Sequence, residues 1–176
     1  SGDGGGGGGG PSTRWAIAAG NAEQDECGGV GLDADGDATV TGSFAGVMGN
    51  SKRMAVGQLT AKGKWRWALP GDVVGTKLAV DDRGNSFVAG NYTGAPSIGG
   101  STLADAAAGT VFVAKIDGSG KLQWVATPAG SGETGLGDIA VDTWGHCRVT
   151  GGYSGDVRFA MSKLRTPGGA FVARLD

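Results

Sequence analysis

Two cysteines, one histidine and no long apolar run are conspicuous shortages in this chain, and each closes off a class of protein. Two cysteines, Cys27 and Cys147, allow one disulfide but not the framework of a stapled mini-domain. With a single histidine beside them they supply no ordinary zinc ligand set. That histidine, His146, is the one natural agent for acid/base work near neutral pH. No stretch approaches the roughly 18 apolar residues a membrane-spanning helix needs, and residues 1–13 lack the apolar centre of a signal peptide. Charge is sparse as well. Only 18% of residues are charged, the net charge is −2, and the lysines and arginines are scattered, so the basic footprint of nucleic-acid binding is missing.

Glycine is what the chain has in excess, 38 of 176 residues, about three times its ordinary frequency. Part of that excess is the run Gly4 to Gly10, which makes residues 1–13 a flexible polar tether. The tether resembles the linker after the lipidated cysteine of bacterial lipoproteins, although no such cysteine is present in this sequence; a cloning linker is the alternative. Residues 14–176 read as a single domain with enough apolar content, 39%, to bury a core.

That domain is a threefold repeat. Val30–Gly46, Leu78–Gly94 and Ile139–Gly155 carry one pattern: an apolar triplet, aspartate, a glycine-containing turn, then a second apolar stretch ending in glycine. Repetition at this period is a signature of architecture before chemistry. In the second copy Leu78–Asp81 and Ser86–Ala89 are strands joined by the turn Asp81–Asn85. Val111–Asp117 is a third strand, and Asp117–Gly120 turns it into a fourth, Lys121–Ala126, with the alternation of a half-buried strand. Met54–Leu59 and Ala170–Leu175 match the third strand; Arg14–Ala18 and Arg66–Leu69 match the fourth. Trp15, Trp67 and Trp124 recur in register and read as packing core.

Four short strands in about 50–60 residues are one β-propeller blade. The expected fold is therefore all-β, with three four-stranded blades whose repeat cores are 30–67, 78–127 and 139–176 plus 14–20. The sequence opens on a fourth-type strand and closes on a third-type one, so Ala170–Asp176 paired with Arg14–Gly20 would complete a blade. Propellers typically have four to eight blades. Three should not close comfortably alone, and the expectation is either two chains forming a six-bladed homodimer or a part of a larger array.

The linked motifs Leu78-Ala-Val-Asp81, Val88-Ala-Gly-Asn-Tyr92, Phe112-Val-Ala-Lys-Ile-Asp117 and Gly120 to Trp124, repeated three times, resemble the bacterial beta-propeller repeat family of secreted and surface proteins. The resemblance implies four-stranded blades, export to the cell surface or beyond, and no common reaction. The first copy departs from it, with Ala55 and Gly57 at the Phe112 and Ala114 positions and a shorter loop from Val47 to Arg53.

Repetition also sorts the candidate sites, because a feature present in every copy is structural. Asp33, Asp35 and Asp37 alternate like a calcium loop, yet the equivalent turns at Asp81 and Asp142 keep only the first aspartate and the glycine. Turn chemistry is the stronger reading, with calcium the only cofactor in view. Trp144 and Trp65 do not recur and are the candidate ligand contacts. Asp25 and Glu26, in an acidic stretch peculiar to the first copy, are candidates for partner or cation binding. His146 sits at the turn position of Asp37 and Asn85, and Cys147 points to the opposite face, which disfavours a Cys/His couple. Lys62, Lys64 and Arg66 read as a solvated strand face.

The functional expectation is a non-catalytic, exported scaffold that binds a protein or glycan through blade-end loops, without nucleic acid, membrane span or cofactor, and with self-association. A structural protein assembling by blade pairing is the alternative. A lectin-like module and a propeller hydrolase or lyase rank behind both.

Overall fold

The computed structural model describes residues 13–20, 25–49, 53–165 and 167–176. The tether up to Ser12 lies outside the described residues. Each repeat becomes one antiparallel sheet. The first pairs β1 (Glu26–Leu32), β2 (Ala38–Phe44), β3 (Met54–Leu59) and β4 (Trp65–Pro70) in chain order. The second contains β5 (Lys77–Val80) and β6 (Ser86–Gly94), then leaves the sheet for a small hairpin, β7 (Ser97–Ile98) and β8 (Ser101–Thr102), before β9 (Ala106–Ile116) and β10 (Leu122–Ala126) complete it. The third pairs β11 (Glu133–Val141), β12 (Cys147–Ser154) and β15 (Gly168–Leu175), with the hairpin β13 (Arg158–Phe159) and β14 (Ser162–Lys163) inserted at the equivalent place. No α-helix occurs among the described residues.

The three sheets pack face to face in a row, and the row explains the burial pattern. All six residues of β3 are buried, with the second sheet on one side and the cluster of Ala19, Phe44, Val47, Trp65 and Ala68 on the other. At the first junction Val56, Trp67 and Leu69 of the first sheet meet Val88, Phe112 and Ile116 of the second. At the second junction Phe87, Ala89 and Val113 meet Ile139, Cys147, Val149 and Phe171 of the third. A large apolar side chain buried like Phe87 or Phe112 contributes roughly 1.5–3 kcal/mol of transfer free energy. The first strands of successive sheets touch, β1 against β5 and β5 against β11. Hydrogen bonds add register: Ser86 Oγ donates to Thr39 Oγ1 across the first junction, and Asn91 clasps β11 across the second, donating to Thr134 O and accepting from Leu136 N.

The recurrent glycine that ends the second apolar stretch has a steric cause. A Cβ on Gly42, Gly90 or Gly151 would run into the carbonyl oxygen of Glu26, Val74 or Gly135 respectively, where the preceding segment crosses close to the strand.

One expectation needs correction. Residues 13–20 form no strand, and β15 pairs with β12 alone among the described residues, so the two terminal segments do not complete a blade within one chain. The reason is distance along the row. The 13–20 segment lies on the first sheet, where Ala19 packs with Phe44, Val47 and Met54, whereas β15 belongs to the third. The first repeat, whose sequence departs from the pattern, keeps a full four-stranded sheet but interrupts its register four times, against two in the second sheet and one in the third. Its short loop replaces the small hairpin of the other copies with a 3₁₀ turn at Val47–Gly49, in which Met48 takes a left-handed φ of 54°.

Candidate functional site

One turn design is used five times. Asp33 Oδ1 accepts the amides of Asp35 and Asp37 at 3.0 and 2.9 Å, Asp81 Oδ1 those of Arg83 and Asn85 at 3.0 and 2.9 Å, and Asp142 Oδ1 those of Trp144 and His146 at 3.1 and 2.9 Å. Asp117 repeats the geometry on Ser119 and Lys121, and Thr60 Oγ1 accepts from Lys64 N. Each turn closes on a glycine at positive φ, such as Gly84 at 76° and Gly145 at 84°, which other residues adopt at a cost. Hydrogen bonding by the Ser119 hydroxyl, ahead of the turn amides, holds the Asp117 carboxyl below its usual range despite some burial.

The β1–β2, β5–β6 and β11–β12 turns line up along one end of the row. Asp33 lies 3.9 Å from where a Gly84 Cβ would sit, and Asp81 3.3 Å from the same point on Gly145. The residues between the shared aspartate and glycine differ in each copy, and so does the surface presented.

The first turn uses its carboxylates internally. Asp33 Oδ2 accepts Gln58 Nε2 at 3.2 Å, while Asp37 accepts the Ala61 amide and pairs with Arg66 at 2.5 Å. Arg66 and Arg83 also border the 210 Å³ cleft beside Asp33 and Asp35. Among the described residues no three His, Cys, Asp or Glu side chains gather to hold a metal. Asp33 and Asp37 spend their carboxylates on the turn, Gln58, Ala61 and Arg66.

The third turn differs. Asp142 Oδ2 meets His146 Nδ1 and Arg148 Nη1, both at 3.0 Å. Burial pulls the Asp142 carboxyl upward, but the His146 amide, the Arg148 guanidinium and the His146 ring outweigh it and leave the group well below the usual carboxylate range. An ionised carboxylate only accepts, so the imidazole proton sits on Nδ1. Nε2 faces Asp176 Oδ1 at 4.0 Å, which also accepts Arg174 Nε at 2.7 Å. Beside this charged strip stands Trp144, its ring 73% exposed and 6.4 Å from the His146 ring at a 37° tilt. An exposed indole whose amide is fixed by Asp142 can stack on a flat ligand face and donate a hydrogen bond to it.

The other candidates fall elsewhere. Trp65 packs inward on Phe44, with ring centroids 5.8 Å apart, and belongs to the apolar cluster over the first sheet. Within that cluster Trp65 is half-buried. Asp25 Oδ1 accepts the Ala45 amide at 3.0 Å, and Glu26 is exposed at the start of β1, far along the row from Trp144. Cys27 and Cys147 are both free thiols, so the disulfide considered for them is not formed. They lie in different sheets; Cys27 is exposed on β1, and Cys147 is buried at the second junction, where desolvation pushes its thiol up to about 12. Sequence reading passed over Arg148, Arg174 and Asp176 as site residues. The usable signal was register, since Arg148 and Arg174 face each other across β12 and β15.

No known family model matches this chain, and none of the curated proteins is similar to it. Among the described residues no helix is long and apolar enough to cross a membrane.

Proposed function

We propose that the three sheets are propeller blades and that the protein is an exported, non-catalytic scaffold binding a protein or glycan through its turn end. The observation that carries the reading is the succession β1, β5, β11, each first strand against the next, with one turn design repeated beside them. That is how blades stand around an axis. Trp144 is the contact residue, because it alone of the recurrent turns displays a large bare ring. The non-catalytic character fits a His146 ring engaged by Asp142 and a Cys147 thiol buried on the other face of the strand.

A glycan and protein array probed with the wild-type chain and Trp144→Ala tests this reading. The expected result is a ligand signal that Trp144→Ala reduces at least tenfold, the scale of one lost stacking contact, with unchanged thermal unfolding. A ligand bound equally by both proteins, or a low-resolution image without radial spokes, overturns it.

Assembly is the second reading. It is favoured by the exposure of Val172, 75%, at the position where Val56 and Val113 are 0% and 2% exposed beneath a neighbouring sheet.

A further inference from the structure

We infer that β15 accepts residues 13–18 of a second copy as its fourth strand, an inference that rests on the propeller reading and names the partner and the register for it. Three observations converge on that occupant.

The first is Trp15. Its Nε1 donates to Ala61 O at 3.0 Å, and its ring covers Gly63. Trp67 does the same one repeat later, donating to Gly118 O at 3.1 Å and covering Gly120. Trp67 reaches that position as part of β4, paired to β3; Trp15 reaches it with no strand beside it among the described residues. Residues 13–18 therefore already lie on the first sheet as the outer strand of a preceding sheet would.

The second is the third sheet, which has three strands where the others have four. At the first junction Leu122 and Val125 of the outer strand β10 pack on the cluster containing Val56 and Leu69. At the second junction no outer strand is present among the described residues. The space along β15 is an apolar cavity of 240 Å³ lined by Val111, Val113, Ala126, Pro128, Phe159 and Leu175 among others.

The third is the match between the two outer faces of the row. Val30 and Leu32 on the first sheet are 66% and 65% exposed, although their counterparts Ile139 and Val141 are buried and half-buried beneath the second sheet. Val172 is their opposite number on the third sheet. Docking the third sheet of one copy on the first sheet of another continues an interface that the chain forms twice internally. Strand addition supplies the main-chain hydrogen bonds and apolar burial the remaining drive.

Register follows from the existing sheets. Trp67 pairs with Gln58 and Trp124 with Lys115, so Trp15 pairs with Arg174 of the second copy. Ala68 with Gly57 and Val125 with Ala114 place Ala16 opposite Ala173, and Leu69 with Val56 and Ala126 with Val113 place Ile17 opposite Val172. A contact of this kind made at both ends closes a two-copy ring; made at one end only it propagates.

Single-cysteine crosslinking in a Cys27→Ser background tests the register. Ala16→Cys and Ala173→Cys proteins, each monomeric under oxidation when alone, should give a covalent heterodimer when mixed. Native mass of the unmodified chain should be twice the 17.3 kDa of one copy. Val172→Lys, on an exposed site that cannot unfold the single chain, should weaken the dimer roughly tenfold or more by setting an ammonium against apolar surface. Single-chain mass and no crosslink, in a particle that still shows three radial spokes, overturn the strand addition and leave the propeller reading standing. A particle without spokes overturns the propeller reading itself.

Discussion

Phe87 and Arg148 occupy the same place in successive repeats, as do Val113 and Val172, yet the first member of each pair is buried and the second is in solvent. The backbone around them is the same antiparallel ladder, β6 with β9 and β12 with β15. The difference is the neighbour: the second sheet has the third packed on it, and nothing among the described residues is packed on the third. The repeat pattern dictates where a side chain points, and the position in the row dictates whether it meets protein or water. Arg148 shows that the sequence has adapted to this, with a guanidinium held by Asp142 where its counterpart is a ring under cover.

The comparison can be broken by substitution. Phe87→Ala, which empties a fully buried ring site, should cost about 3–5 kcal/mol in urea unfolding, whereas Arg148→Ala should cost about 1 kcal/mol or less, as exposed ion pairs do. Equal costs would mean that the third sheet's outer face is covered in solution. A smaller effect follows from acid. The Asp142 carboxyl is depressed in the folded protein, so its contribution is complete above the ordinary carboxylate pKa, near 3.8, and fades as pH falls below it. Asp142→Asn, which keeps an oxygen for the turn amides, should therefore flatten the acid limb of the urea midpoint against pH; an unchanged limb would show the His146 and Arg148 contacts to be absent in solution. Smallest of all, Val172→Ala should change the stability of the single chain by less than about 0.5 kcal/mol, against a clear loss for Val113→Ala by the same urea titration.

The strands and turns were legible because each is encoded locally, by alternation on the strands and by Asp-x-x-Gly at the corners. Met54–Leu59 was placed to the residue. That Arg14–Gly20 and Ala170–Asp176 do not pair within one chain was not, because strand pairing depends on where a segment lies as well as on its pattern, and these two segments lie on different sheets of the row. Trp144 was identifiable as the odd residue in a repeated turn. The contacts of Asp142 with His146 and Arg148, and the reach of His146 to Asp176, needed the folded register. The packing of Trp65 was hidden for a related reason: an aromatic absent from the other copies signals novelty, and here its ring fills a space opened by the small residue Gly57, whose Cβ would strike it at 2.6 Å.

The five aspartate-and-glycine corners, counting Thr60 as the aspartate's substitute, fasten themselves through main-chain groups and one side chain. At the three corners along one end of the molecule the second residue after the anchor gives the turn its amide, and it is Asp35, Arg83 and Trp144. Such positions form a set of interchangeable sockets, where new recognition chemistry can be grafted, by selection or by an engineer, without renegotiating the scaffold beneath.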